Sequence, residues 1–322
     1  MPALRQVAAA LAALLSVGAA RAETAYVSNE QDDTISIIDG ATLAVTGTIR
    51  VGRRPRWLAL SPDGRSLFVA VGDDNRIDVV DRATGQVAGS LPSGEDPELF
   101  VVHPDGKRLF VANENDSLVS VVDIIERKIV GEVEVGIEPE GMAASPDGSL
   151  IVCTSETTSM AHVIDAGTLE LLDNVLVDTR PRAAVVAPDS RRIYVSSELR
   201  GTVTVIDAES RAILGKVGFP APGVPRELVQ AVGLALTRDG TRLFVALGPA
   251  NRVAEVNAAT LAVERTYLVG QRVWNLALSP DGRRLYTANG NSSDVSVIDL
   301  DRREVVKSLG VGRAPWGVVV AP

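Results

Sequence analysis

Only three tryptophans occur in the chain, Trp57, Trp274 and Trp316, and each stands beside arginine. Arg56-Trp57, Arg272-Val273-Trp274 and Arg313-Ala314-Pro315-Trp316 bring guanidinium and indole together, and Arg182 holds the corresponding place in a fourth stretch. Guanidinium forks pair with carboxylates and indoles stack on rings. The set Arg56, Trp57, Arg182, Arg272, Trp274, Arg313 and Trp316 therefore suits a planar, aromatic, anionic ligand. Trp and Arg are also favoured anchors of protein–protein contacts, so a docking surface for a partner protein is a second use. A third assignment is a salt-bridged rim of little consequence, with Arg182 and Glu198 as neighbours.

Carboxylates answer these arginines from other stretches. Glu98, Glu114, Glu140 and Glu156 are of a type that suits a hard cation such as Ca²⁺, but no compact ligand spacing is present and no metal site is assigned. Enzyme signatures are sparse. The two histidines, His103 and His162, stand where other repeats carry Ser or Thr, and both read as structural. No Cys-x-x-Cys-His, His cluster or nucleophile elbow occurs. No catalytic residue is assigned and a non-enzymatic role is expected. The alternative is a rim-based hydrolase or isomerase of lactonase-like type, using a Glu/Arg acid–base pair.

The elements that must position these groups are set by a repeat. Turn signals run Ser61-Pro62-Asp63-Gly64, His103-Pro104-Asp105-Gly106, Ser145-Pro146-Asp147-Gly148, Ala187-Pro188-Asp189-Ser190, Thr237-Arg238-Asp239-Gly240, Ser279-Pro280-Asp281-Gly282 and Ala321-Pro322. The spacing is 42 residues except for one interval of 50. Each unit holds four short β-branched or aromatic runs bounded by Gly, Pro, Asn and Asp, which read as strands. Four strands per unit, repeated, predict an all-β, seven-bladed β-propeller with four antiparallel strands per blade. The N-terminal run Ala25-Tyr26-Val27-Ser28 and the C-terminal run Gly317-Val318-Val319-Val320 complete one blade between them and remove open sheet edges.

Antiparallel pairing puts the start of each first strand and the end of each second strand on one rim. All three tryptophans and the arginines around them fall there. The interior first-strand positions Ala59, Val101, Ala143, Val185, Ala235, Ala277 and Val319 are small, with no charged group expected within those strands. The recurring acids Asp39, Asp81, Asp123, Asp165, Asp207 and Asp299 are expected to bond the next turn's amides. Cys153 replaces the valine of other units and reads as core. The eight extra residues in the long interval, around Phe219–Leu228, are expected as a proline-stiffened loop leading to the same rim, either a cover for part of the funnel or a surface insertion without a role. Glu255 replaces an apolar strand residue and is either solvent-facing or paired, with Arg252 and Arg265 as candidates.

Composition narrows the class. Arg5, the apolar run Val7–Val17 and Ala20-Arg21-Ala22 form a secretory signal, with cleavage expected after Ala22. The run is too short for a membrane span, which needs about 20 apolar residues. The domains are thus 1–22, signal peptide, and 23–322, propeller. Of 32 Lys and Arg, removal of Arg5 and Arg21 leaves 30 against 41 acidic residues, a net charge of −11. That argues against nucleic acid as a partner. A single cysteine excludes an internal disulfide. A soluble monomer is expected, periplasmic in a Gram-negative host or otherwise secreted.

Tyr26-Val27-Ser28-Asn29, Phe110-Val111-Ala112-Asn113 and Tyr286-Thr287-Ala288-Asn289 resemble the YVTN-repeat β-propeller family. Segments outside the repeat, such as Asp96-Pro97-Glu98-Leu99-Phe100, Glu138-Pro139-Glu140-Gly141-Met142 and Arg313-Ala314-Pro315-Trp316-Gly317, resemble the subgroup of PQQ-dependent catabolism-associated β-propeller proteins. That resemblance implies an exported protein working beside alcohol oxidation by pyrroloquinoline quinone (PQQ) enzymes or beside associated transport. It implies PQQ as a non-covalent ligand, and a PQQ-dependent dehydrogenase or a transporter component as partner. It carries over no functional residues.

Overall fold

The structure, a computed structural model, describes residues 23–322; the expected signal peptide lies outside that range. Strands form seven four-stranded antiparallel sheets. Blades I to VI occupy 55–92, 97–134, 139–176, 181–218, 234–268 and 273–310. Blade VII joins Pro315–Ala321 to Thr24–Asn29, Thr34–Asp39 and Ala44–Arg50. Tyr26 pairs with Val319 and Ala25 with Val320, so the two ends of the described chain close the ring. The fold is the expected seven-bladed propeller.

Burial follows strand position. Second and third strands are buried on both faces because each sheet is sandwiched between two others. Fourth strands are largely exposed, with one buried apolar residue, as Val133 in Lys128–Glu134. The aromatic position of the second strand fills the seams: Phe68 packs with Phe100 and Val111 of blade II, and Tyr286 with Val27 and Val320 of blade VII. Full burial of such side chains contributes about 1.5–3 kcal/mol each. First strands of successive blades pack on one another around the axis, where small residues let them converge.

The turns obey local chemistry. Gly64, Gly106, Gly148, Gly240 and Gly282 take φ between 68° and 73°, the left-handed region that glycine enters without a Cβ clash. Asp39 accepts from the Thr42 amide at 2.7 Å and Asp81 from that of Thr84 at 2.8 Å. His103 bonds the Gly148 carbonyl across a seam at 2.9 Å. His162 is buried, and its Nε2 accepts from the Gly136 amide at 3.0 Å. Burial holds its pKa below the ordinary value.

Two positions that the repeat leaves open have definite surroundings. Glu255 is fully buried, and its partners are neither Arg252 nor Arg265. Arg242 Nε donates to it at 2.9 Å and the Tyr267 hydroxyl at 2.5 Å. Burial pushes its pKa up, but these hydrogen bonds and the nearby guanidiniums outweigh that and hold it low. The long interval is partly packed against the blades. Phe219, Ala221 and Val224 pack onto the core of blades IV and V. They enclose a small cavity of about 160 Å³ with Arg200 and Gly201.

Candidate functional site at the channel mouth

Each complete first strand except that of blade V opens with one residue in register, followed by a bulge. Pro97 pairs with Asn113, and the register then shifts before Phe100 pairs with Val111. The same shift follows Pro55, Pro139, Pro181 and Val273. A bulge sets two residues against one and turns the strand. The second residue of each of the other six blades thereby meets its counterparts at the axis. Around the ring these are Arg56, Glu98, Glu140, Arg182, Trp274 and Trp316, and Val232, just ahead of the first strand of blade V, has the corresponding sequence position. Charged residues therefore do lie within these strands, which corrects the expectation of an uncharged interior: Glu98, Glu140 and Arg182 are buried strand residues.

Close approach of the blades is built into the next position. A Cβ on Gly141 would sit 2.4 Å from the Arg182 carbonyl, and one on Gly317 2.7 Å from that of Arg56. Hydroxyls from second strands clamp these joints. Ser28 donates to the Arg56 carbonyl at 2.6 Å and accepts from Gly317 at 2.8 Å, and Thr154 accepts from Gly141 at 2.9 Å.

The arginines are all answered by carboxylates. Arg182 donates to Glu140 at 2.9 Å and to Glu156, with Glu198 at 3.8 Å. The rim pairing of Arg182 with Glu198 thus exists, but its stronger partners come from the preceding blade. Arg180 lies 2.7 Å from Glu156 and 3.3 Å from Glu198. Arg272 bonds Glu198 at 2.8 Å and Gln230 at 2.8 Å. Arg56 lies 3.2 Å from Glu98 and 3.8 Å from Glu30. Arg54 reaches Glu98 at 3.3 Å, Asp73 at 3.0 Å and Asp96.

The tryptophans close the other side. Trp57 and Trp316 meet edge to face at 6.3 Å. Arg56 lies over Trp316 at 5.1 Å, and Trp274 carries Arg272 at 4.1 Å and Arg182 at 5.5 Å. Trp316 is 1% exposed, and its indole N–H has no hydrogen-bond partner among the described residues. Trp57 and Trp274 pack against the same apolar cluster as Trp316, Leu99 and Met142. Six of the seven sequence-selected residues thus converge. Arg313 does not: it is exposed and held by Asp32 at 2.6 Å on the outer rim.

The four acids considered for a cation separate into two groups. Glu98 and Glu114 gather with Asp96, their carboxylate oxygens within 4.8 Å of one another. Glu140 and Glu156 instead share Arg182. Arg54 and Arg56 flank Glu98, which leaves little negative potential for a divalent ion. Burial, then the neighbouring Glu98 carboxylate, raises Glu114 to about 6. Burial raises Glu140 well above the carboxylate range, against the pull of Arg182, and raises Glu156 in the same way. Burial lowers Arg272, although Glu198 opposes it. Neither histidine is at the mouth, and the Cys153 thiol is fully buried with its pKa pushed far up. The mouth can therefore donate, accept and hold protons on carboxyls.

Sequence reasoning missed Gln230 as a member of this network. It ends the long interval, where the offset from the repeat hides its place. The recurrence of Glu30, Glu114, Glu156 and Glu198 after four second strands was the signal that every rim arginine would be paired.

Fold and mouth define a β-propeller protein. Three family models match successive parts, none covering half of the chain. A YNCE-like beta-propeller model matches residues 1–88, a Cytochrome D1 heme domain 98–197, and a seven-bladed beta-propeller Lactonase 164–309. No curated protein matches. Among solved structures, Kuenenia stuttgartiensis hydrazine synthase is 21% identical with TM-score 0.78, covering 86% of this chain and 92% of that one. A functionally unknown protein from Desulfotomaculum acetoxidans is 16% identical with TM-score 0.79, covering 92% and 98%. A Lactobacillus plantarum protein is also 16% identical with TM-score 0.79, covering 94% and 99%. At these identities the likeness is one of fold.

Proposed function

We propose that the protein is an exported, non-enzymatic binding propeller that recognises a partner protein at this mouth. The context that its segments resemble is PQQ-dependent alcohol oxidation or the associated transport, so the partner is a PQQ-dependent dehydrogenase or a transporter component. The observation that carries the reading is the paired state of Arg56, Arg182 and Arg272: a small anion would have to displace carboxylates already in place. The loops and strand ends of the same face carry exposed apolar residues, Ile137, Leu199, Leu228 and Leu268, and the exposed guanidiniums of Arg53 and Arg313. Apolar anchors beside arginine are the composition of interface hot spots.

PQQ as a small ligand is the second version, favoured by the Trp57–Trp316 pair beside Arg56. Binding of the purified PQQ-dependent dehydrogenase by calorimetry tests the first version, with Ile137→Asp/Leu199→Asp as the control that should abolish it. Thermal shift with PQQ alone tests the second. A Tm rise with PQQ and no heat with the dehydrogenase would overturn the partner reading. Turnover of lactones that is lost in Glu114→Gln would overturn both in favour of the rim hydrolase.

A further inference from the structure

Seven seams separate the blades, and at five of them a guanidinium fills the gap beside the second-strand aromatic. At the II–III seam Arg108 lies over the Phe110 ring at 5.4 Å, donates to Asp105 at 2.8 Å and crosses to the Ala166 carbonyl at 2.5 Å. At IV–V, Arg192 crosses to the Ala258 carbonyl, and at VI–VII Arg284 crosses to that of Gly40. At V–VI, Arg242 lies over Phe244 at 5.0 Å. At VII–I the second strand begins with Thr24, and Arg82 enters from the other side to lie over Tyr26 at 5.4 Å.

Among the described residues, two seams have no such guanidinium. At III–IV both the arginine and the aromatic are replaced, by Leu150 and Val152. At I–II only the arginine is replaced, by Ser66. The rest of the socket is present: Phe68 for Phe110, Asp63 for Asp105 and Ile124 for Ala166. A cleft of about 440 Å³ opens there, lined by these residues and by Arg127, whose guanidinium lies against Gly89 of the fourth strand and not over the Phe68 ring. Asp63 Oδ1 takes Ser61 and the Arg65 amide, whereas Asp105 Oδ2 also holds Arg108 Nε at 2.8 Å. The nearest guanidinium to Asp63 Oδ2 is that of Arg65, at 4.0 Å and exposed.

We propose that the I–II seam is a binding socket for a guanidinium, that of an arginine side chain presented by a partner polypeptide. The occupant is inferred from the molecule itself, which places this group against an aromatic ring at three seams and against a crossing carbonyl at three. Ser66 shortens the resident side chain and leaves the aromatic face, the carboxylate and the carbonyl in place. A planar fork with its charge spread over several N–H groups satisfies all three, whereas an ammonium supplies only a point charge. The socket lies on the turn side of the ring, away from the mouth, and does not rest on the reading of the mouth.

The test uses the mature chain and Nα-acetyl-arginine amide, with the isosteric, uncharged Nα-acetyl-citrulline amide as control. Backbone amides of Gly106, Ile124 and Ile125 are followed by NMR. Saturable shifts with the arginine probe, absent with citrulline, are expected. Ser66→Arg supplies the guanidinium in cis; it should abolish those shifts and raise Tm by about 2 °C. Asp63→Asn, which leaves the fold intact at an exposed turn, should weaken probe binding about tenfold. Equal shifts with citrulline, no saturation, or shifts that persist in Ser66→Arg would overturn the proposal.

Discussion

Arg182→Ala removes the guanidinium that holds the mouth together, and the structure sets the size of the effect. Arg182 is 7% exposed, so solvent screening gives little relief. Its loss leaves Glu140 and Glu156, both nearly fully buried, without the donor now at 2.9 Å from Glu140. Breaking a buried pair by deleting one partner costs about 3–5 kcal/mol, because the other charge stays buried. Unfolding entropy of about 2.1 cal/mol/K per residue gives roughly 0.6 kcal/mol/K for a chain of this size, so Tm falls by about 5–8 °C at pH 7. The loss depends on pH with a definite sign. Glu140 and Glu156 already have raised pKa values, chiefly from burial. In the variant they rise further. A carboxyl whose folded pKa lies above its unfolded one stabilises below the unfolded value, and that stability is lost as pH rises through the folded one. The variant should therefore approach wild type near pH 4.5 and fall behind it steadily toward pH 8. Differential scanning calorimetry across that range measures it. Arg182→Met combined with Glu140→Gln and Glu156→Gln should recover most of the loss. A Tm drop under 2 °C at pH 7, or a drop independent of pH, would refute the account of a buried network centred on Arg182.

Gly141→Ala should destabilise by about 1–3 kcal/mol although it adds one methyl, since that methyl meets the Arg182 carbonyl across the seam; chemical denaturation reads it. Glu255→Gln should cost about 1–3 kcal/mol at pH 7 through weakened bonds to Arg242 and Tyr267. Because the folded pKa of Glu255 is depressed, its contribution is present above the unfolded value and disappears as pH falls through the folded one. Wild type and variant should therefore converge in acid, as calorimetry at pH 3 and pH 7 would show.

Much of the ring was legible in the residues. Turn chemistry is local, so Pro-Asp-Gly at a constant interval announces each hairpin wherever it occurs. Strand alternation and the complementary end runs supplied the blade count and the closure. Trp57, Trp274 and Trp316 were traceable to one rim because they occupy one position of the repeat. The direction of each side chain was not traceable. The bulge after Pro139 and Pro181 turns Glu140 and Arg182 toward the axis, and no residue type in those strands announces it. Arg313, of the same type and on the same rim, turns outward to Asp32.

The sequence alone determined the architecture, the rim on which departures from the repeat collect, and the structural character of the recurring acids. These follow from interactions between residues a few positions apart. Tertiary structure decided who pairs with whom. Arg182 takes Glu140 and Glu156 of blade III ahead of Glu198 of its own blade, Glu255 takes Arg242 and Tyr267, and the I–II seam alone keeps an aromatic socket without its arginine. Each of these outcomes depends on how two strands meet across a turn or a seam, and a repeat specifies position within a blade without specifying which neighbour a long side chain will reach.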